Sequence, residues 1–443
     1  MGMRRDIYRI LTDWKKSDNR RPLLVRGARQ TGKTYVVNDF GKNEFEDVTY
    51  LNFERNPEFK DIFNSNIPVE IVEKITLYTT KRPEPGKTLL FIDEIQECPE
   101  AIISLRYFFE EMPGLHIIGA GSLLEFALSS ENFRMPVGRI QYLYLYPLSF
   151  GEFLDAMNES ELRRYILDFS NLEKLPTNLH DKLNEYVRKY FIVGGMPAVV
   201  KEYITTRNII ECQKIQRSII DTYIDDFAKY SRISRHLYLR KVFNAVPAMV
   251  GRKFVYAQVD RSIKSRELKE ALELLETAGL VTRISQTSAS GIPLSVGIHE
   301  SMFKVLFIDV GLFHAISGVY SETAKKIDFN AIFKGAVAEQ FAGQELTACQ
   351  SPYTKTELYY WARKAKSSIA EIDYLIEKNA RVVPLEIKSG STGRMKSMHM
   401  FIEKYNCQKA IKISQMSFKN ETPIISLPFY AIESFLQSGE SSE

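Results

Sequence analysis

Gly27-Ala28-Arg29-Gln30-Thr31-Gly32-Lys33-Thr34 lies between an apolar run, Leu23-Leu24-Val25, and a helix-compatible run, Tyr35-Val36-Val37-Asn38-Asp39-Phe40. A G-x-x-x-x-G-K-[ST] segment in strand–loop–helix order restricts the chain to folds in which a buried strand feeds a phosphate-binding loop. The glycines let backbone N–H groups turn inward around phosphate oxygens, and the positive end of the helix dipole adds to the attraction. In that geometry Lys33 reaches the β- and γ-phosphates, and Thr34 sets its hydroxyl on Mg²⁺. All eight residues are therefore candidates for binding ATP.

About 60 residues further on, Thr88-Leu89-Leu90-Phe91-Ile92-Asp93-Glu94 reads as an apolar strand ending in two carboxylates. With a phosphate loop beside it, such an edge suits metal-dependent hydrolysis: Asp93 to hold Mg²⁺ and Glu94 to orient or deprotonate the attacking water. Further strands are expected at 48–53, 116–118 and 140–145, joined by segments of helical periodicity such as 101–109. Alternation of this kind predicts an α/β fold with a parallel sheet covered by helices, and phosphate sites at the carboxyl ends of its strands.

A chain of 443 residues has room for several domains, and its 44% hydrophobic and 26% charged content is that of an ordinary globular protein. The net charge of +4 exerts no global pull toward nucleic acid or membrane, so local charge matters more. Cys98, Cys212, Cys349 and Cys407 are far apart and suggest neither a zinc site nor a disulfide framework. No apolar run approaches the roughly 18 residues of a membrane span. The first residues lack the apolar core of a signal peptide, and a reducing cytoplasm is the expected compartment.

Four domains are expected. Residues 1–155 form the nucleotide-binding domain, and 156–230 form a helical lid punctuated by a turn at Gly194-Gly195-Met196-Pro197. Residues 231–300 read as a winged helix: helices at 239–250 and 265–276, the second closed by Gly279, then a ribbon of 281–284 and 292–296. Between Lys229 and Lys269 there are eleven Lys/Arg and two Asp/Glu, an excess that suits phosphate contacts. Arg266 and Lys269, near the start of the second helix, are the candidate DNA-contacting residues, although a packing module with a solvated basic face has the same composition.

In residues 301–443 a helix over 333–346 carries Glu339, and strands are expected at 358–363, 370–376 and 381–389. The last two are separated by Asn379-Ala380 and should pair as a hairpin. Glu386 and Lys388 are two apart and leave one face of their strand, and hairpin pairing brings Asp373 to the same end. Asp373, Glu386 and Glu339 are thus candidate Mg²⁺ ligands, and Lys388 is the candidate group that activates or positions water for phosphodiester hydrolysis. Alternating charges on a solvated strand give the same pattern. Burial of Glu386 among Val382, Val383, Leu385 and Ile387 favours the functional reading, because buried charges need partners.

The whole set of motifs resembles a bacterial and archaeal family of AAA-type ATPases with a C-terminal domain similar to the PD-(D/E)XK nuclease fold. The resemblance rests on the loop at 27–34, Leu90-Phe91-Ile92-Asp93-Glu94-Ile95-Gln96, Gly119-Ala120-Gly121-Ser122, Gly138-Arg139 and Pro147-Leu148-Ser149-Phe150-Gly151-Glu152-Phe153. It continues through Phe307-Ile308-Asp309-Val310-Gly311-Leu312, Gly335 with Glu339, Glu371-Ile372-Asp373 and Glu386-Ile387-Lys388-Ser389. It implies a γ-phosphate sensor at Ser122 and a cationic sensor or trans-acting finger at Arg139, the latter in a homo-oligomer. The expected function is ATP hydrolysis controlling a Mg²⁺-dependent, DNA-associated nuclease-like domain. The alternative is an ATP-dependent switch whose C-terminal domain binds DNA or protein without cutting.

Overall fold

In a computed structural model describing residues 3–122, 124, 138–230, 233–317, 335–365, 368–388 and 395–439, the alternating N-terminal segments form a five-stranded sheet. Its strands are β1 (Leu23–Arg26), β2 (Asp47–Asn52), β3 (Thr88–Asp93), β4 (His116–Ala120) and β5 (Gln141–Tyr144). They lie in the order β2-β3-β4-β1-β5, all parallel. Side chains alternate between two cores, as period-2 geometry requires. Leu23, Val25, Leu89 and Phe91 join Val36, Val37 and Phe40 of the helix Lys33–Glu44. Leu24, Leu90 and Ile92 join Ile102 and Leu105 of the helix Pro99–Glu111. Both faces are covered, so β1, β3 and β4 can be buried along their whole length.

The chain divides into two units. One comprises Met1–Tyr146, Thr277–Gly279 and Ser351–Lys355; the other comprises Pro147–Glu276, Leu280–Gln350 and Thr356–Glu443. The second unit holds a mixed seven-stranded sheet ordered β12-β11-β10-β9-β8-β6-β7. Here β6 is Val281–Thr287, β7 Ile298–Phe307, β8 Leu358–Ala365 and β9 Ser368–Lys378. The remaining strands are β10 (Arg381–Ile387), β11 (Ala410–Ser414) and β12 (Ile424–Pro428). The expected hairpin forms: β9 and β10 are antiparallel, and Asn379 and Ala380 both take left-handed φ values of 52° and 55°. Two consecutive left-handed residues match the right-handed twist of the flanking strands.

The expected ribbon differs. Residues 292–296 are not a strand: Leu294–Gly297 is a single 3-10 turn, and the partner strand is Ile298–Phe307. Pro293 has no N–H for a ladder, and the Thr287 hydroxyl donates to the Leu294 carbonyl at 2.8 Å, curling the loop back on β6. Nor do β6 and β7 stand apart as a wing. β6 pairs in parallel with β8, so both strands form one side of the C-terminal sheet. The long segment of the first unit ends at Tyr146, close to the expected border at 155/156, and the expected border at 300/301 falls inside β7.

Several recurring motif residues turn out to hold the second unit together. Ser149 and Glu152 form a reciprocal capping box on the helix Phe150–Ala156. The Phe150 N–H donates to Glu345 Oε1 at 2.8 Å, and burial pushes the Glu345 carboxyl up to about 8. Asp309 caps the helix Val310–Ile316 by accepting from Leu312 N at 3.0 Å, and its second oxygen accepts from Gly195 N at 2.6 Å. Gly194 has φ +73°, and a Cβ at Gly195 would stand 2.2 Å from the Leu148 carbonyl oxygen. This turn therefore needs its glycines for both conformation and space.

Candidate functional site

In the first unit the phosphate loop follows β1, and Lys33 opens the next helix with Gly32 at φ +93° before it. A Cβ on Gly27 would meet the Leu145 carbonyl oxygen at 2.2 Å, so the loop closes only with glycine there. Lys33 is buried, and its Nζ donates to the carbonyls of Gly27 at 2.9 Å and Ala28 at 2.8 Å. Burial brings the ammonium down to about 8, opposed by the charges of Glu94 and Asp93. Thr31 donates to the Ala28 carbonyl at 3.0 Å, and Arg29 pairs with Glu54 at 3.3 Å. The loop is braced from outside the motif by Arg5, which donates to Thr31 O at 3.0 Å and Tyr146 O at 2.7 Å.

Parallel pairing puts the ends of β1, β2, β3 and β4 on one edge. The register Asn52↔Asp93 brings the end of β2 beside the carboxylates. Asp93 Oδ2 accepts from the hydroxyls of Thr34 at 2.9 Å and Tyr50 at 2.8 Å, and from Asn52 Nδ2 at 3.3 Å. Thr34 and Asp93, one hydrogen bond apart beside the loop, could together hold Mg²⁺ next to a nucleotide. Glu94 sits at φ +52°, a conformation that costs a non-glycine residue energy and often marks functional positions. Gln96 donates to its Oε2 at 2.6 Å, and burial raises its carboxyl. Ser122 follows β4, and its Oγ is buried with no partner among the described residues. An orphaned hydroxyl at this edge is suited to meeting a ligand oxygen.

Arg139 is a correction. It precedes β5 and therefore lies at the amino-terminal edge of the parallel sheet, opposite the edge that carries Lys33 and Asp93. There it pairs with Glu110 at 2.8 Å and lies over the Phe109 ring. A sensor acting within its own subunit is incompatible with that placement. Arg5, Tyr50, Asn52 and Gln96 escaped sequence reasoning. For Tyr50 and Asn52 the signal was available: two polar residues two apart at the end of a strand neighbouring β3 face the same way.

The second constellation lies on the central strands of the other sheet. The register Leu385↔Tyr374 sets Glu386 beside Asp373. Asp373 Oδ2 accepts from Ile387 N at 2.7 Å, and Lys388 Nζ donates to Glu386 Oε1 at 2.5 Å. Glu386 is 7% exposed, and its Oε2 is buried without a partner among the described residues. Burial and the neighbouring Asp373 raise Glu386 to about 7. Glu339, on the helix Ala336–Ala348, is raised to about 8 by burial and then by Asp373. The sequence reading missed Lys304 of β7, whose ammonium enters this cluster at 2.5 Å from Glu371, 3.5 Å from Glu339 and 3.8 Å from Asp373. Burial disfavours that ammonium, but the three carboxylates overcome the penalty and hold it firmly protonated. Among the described residues no group of three or more His, Cys, Asp or Glu is arranged to hold a metal ion. Asp373 and Glu386 do come together, and the orphaned Glu386 oxygen fits a cation at that pair; Glu339 is shared with Lys304 instead. Ser389 lies outside the described residues.

Arg266 and Lys269 are surface residues on the helix Ser265–Thr277, paired with Glu270 at 3.3 Å and Glu273 at 3.7 Å. No helix among the described residues is long and apolar enough to cross a membrane.

Residues 19–154 match the AAA domain family, 184–323 a domain of unknown function, DUF8612, and 334–430 a second domain of unknown function, DUF4143. An uncharacterized protein of Haemophilus influenzae is 25% identical over 329 residues, spanning 70% of this chain and 72% of its own. A Walker-type ATPase of Pyrococcus abyssi is similar at 14% identity with a TM-score of 0.45, over 71% of this chain and 96% of that one. The Aeropyrum pernix ORC1 protein, solved in complex with DNA, is similar at 12% identity with a TM-score of 0.28, over 71% and 90% of the two chains. The N-terminal unit is a P-loop ATPase-like module of the AAA type.

Proposed function

We propose that the protein hydrolyses ATP and uses the nucleotide cycle to control a DNA-associated, phosphodiester-cleaving centre in its second unit. The observation that carries the first half is the convergence of Lys33, Thr34 and Asp93 at one sheet edge, with Thr34 and Asp93 2.9 Å apart. Mg²⁺ supplies charge neutralisation on the phosphates when it is bound with the nucleotide. The chain's own residues do the rest. The loop N–H groups and Lys33 bind the phosphates, and Tyr50 and Asn52 hold Asp93 in place. Glu94 orients or deprotonates water, and Ser122 offers its free hydroxyl to the γ-phosphate. A role for Arg139 requires a second copy of the chain, in which it would act in trans.

The second half rests on Asp373 and Glu386, which lie close together where β9 and β10 stop pairing, with Lys388 at hydrogen-bonding distance from Glu386. Asp373 and Glu386 would hold the metal, which when bound would supply polarisation of a phosphodiester, and Lys388 positions or activates water. Glu386→Ala should abolish Mg²⁺- or Mn²⁺-dependent nicking of supercoiled DNA. Absence of cleavage by the unmutated protein on linear, supercoiled, single-stranded and branched DNA would instead select a non-cutting switch. The resident Lys304, which already neutralises part of the cluster, is the observation favouring that second reading.

DNA contact is assigned to the exposed face carrying Arg266 and Lys269. Their pairing to glutamates one helical turn away is the kind of surface ion pair that contributes little, so phosphates compete for them easily. Changing both to Gln should weaken DNA binding and reduce the slope of log affinity against log salt by about 2. An unchanged slope in a salt titration moves the DNA site elsewhere.

A further inference from the structure

Lys304 is the most deeply buried ammonium in the second site: its side chain is 1% exposed and its Nζ lies over the Tyr360 ring, 5.2 Å from the centroid. Three carboxylates from two separate elements surround it, Glu339 from the helix Ala336–Ala348 and Glu371 and Asp373 from β9. Oxygen donors converging from a helix and a strand are what a hard divalent cation requires. Here a side chain supplies the positive charge. The strand partly explains the arrangement: Glu371 and Asp373 are two apart and both reach Lys304, and Tyr374 ties the helix down by donating to the Glu339 carbonyl at 2.8 Å.

The same cluster has a second half. Glu386 Oε2 is buried and without a partner among the described residues, although Lys388 satisfies Oε1. A buried, unpaired carboxylate oxygen is costly unless something cationic meets it. Four carboxyl groups (Glu339, Glu371, Asp373 and Glu386) face only two ammoniums (Lys304 and Lys388), so the cluster has acidic groups to spare for a cation.

We propose that Lys304 is a built-in cation that occupies the place of a second divalent ion, so that the centre takes a single metal, between Asp373 and Glu386. This rests on the metal-dependent reading of the second unit given above and assigns its stoichiometry. Lys304 is a positioning residue. It fixes Glu339, Glu371 and Asp373 without a metal and bars Glu339 from the ligand set.

The test is Mn²⁺ binding to the full chain without nucleotide, read by electron paramagnetic resonance of the free ion. The unmutated protein should bind about one Mn²⁺ that is lost in Glu386→Gln, and Lys304→Met should bind about one more, lost when Glu339→Gln is added. Lys304→Arg keeps the charge and should keep the original stoichiometry. A folded Lys304→Met with unchanged binding overturns the proposal, as does an unmutated protein that takes two ions, each lost on changing a cluster carboxylate. If the unmutated protein binds none and Lys304→Met binds one, the lysine's role as cation stands while the metal-dependent cleavage reading falls. Removing Lys304 leaves buried carboxylates uncompensated, so the variant can fail to fold. In that case millimolar Mn²⁺ should restore a cooperative melt, since a ligand that binds only the folded state stabilises it, and failure of Mn²⁺ to do so also overturns the proposal.

Discussion

Lys33→Ala should lower ATP turnover by at least about a hundredfold, the scale on which removing one preorganised charge donor acts. The prediction follows from where the ammonium is held. Lys33 Nζ is pinned between the Gly27 and Ala28 carbonyls at 2.9 and 2.8 Å, inside the loop whose N–H groups would surround the phosphates. Burial has already stripped it of water and lowered its pKa to about 8, with Glu94 and Asp93 working the other way. A triphosphate arriving there supplies the negative charge that the buried ammonium lacks. Alanine removes that charge while leaving β1 and the following helix their apolar contacts, so the variant should still fold. Steady-state phosphate release, with circular dichroism as the control for folding, checks it. Turnover within about threefold of the parent would sink the assignment of this loop as the hydrolytic site.

Arg163→Met should destabilise the second unit by about 3–5 kcal/mol, the usual result of removing one partner from a buried ion pair. Arg163 Nη1 pairs with Asp155 at 2.5 Å and Nη2 with Glu433 at 2.5 Å, and the Arg163 and Glu433 side chains are each only 8% exposed. Methionine fills much of the volume but leaves two carboxylates facing each other in a low-dielectric interior. The contact also explains a sequence feature. A Cβ on Gly151 would stand 2.0 Å from Glu433 Oε2 and 2.5 Å from Arg163 Nε, so the Ser149-Phe150-Gly151-Glu152 segment admits no side chain at its third position. Urea unfolding followed by fluorescence measures the loss. A change below about 1 kcal/mol would mean the triad is dispensable.

The candidate nucleotide site was legible because its chemistry is local. Gly27, Gly32, Lys33 and Thr34 belong to one turn of chain, and the pattern of residue types specifies the turn. Asp93 was legible because an apolar run that stops at two carboxylates has few other readings beside such a loop. The hairpin joining β9 to β10 was likewise written in the alternation on both sides of Asn379-Ala380. The ribbon of the expected winged helix was misread because a short strand's partners are not written in its own residues. β6 takes β7 on one side and β8 on the other, and β8 lies more than 70 residues downstream.

Local sequence thus determined the phosphate loop, the acidic end of β3, the strands of the first sheet and the facing of Asp373 and Glu386. Short-range patterns suffice there because backbone periodicity alone decides where each side chain points. Tertiary structure alone decided that Arg139 lies at the wrong edge to act on its own nucleotide site, since only the parallel register says which strand ends meet. It also decided that Lys304 enters the carboxylate cluster. That lysine sits on β7, separated from β9 by β6 and β8 in the sheet, and a long side chain crosses Tyr360 to reach its partners. No spacing in the chain encodes that reach. The charges meet only because the folded sheet brings them together, away from water, where each must find a partner.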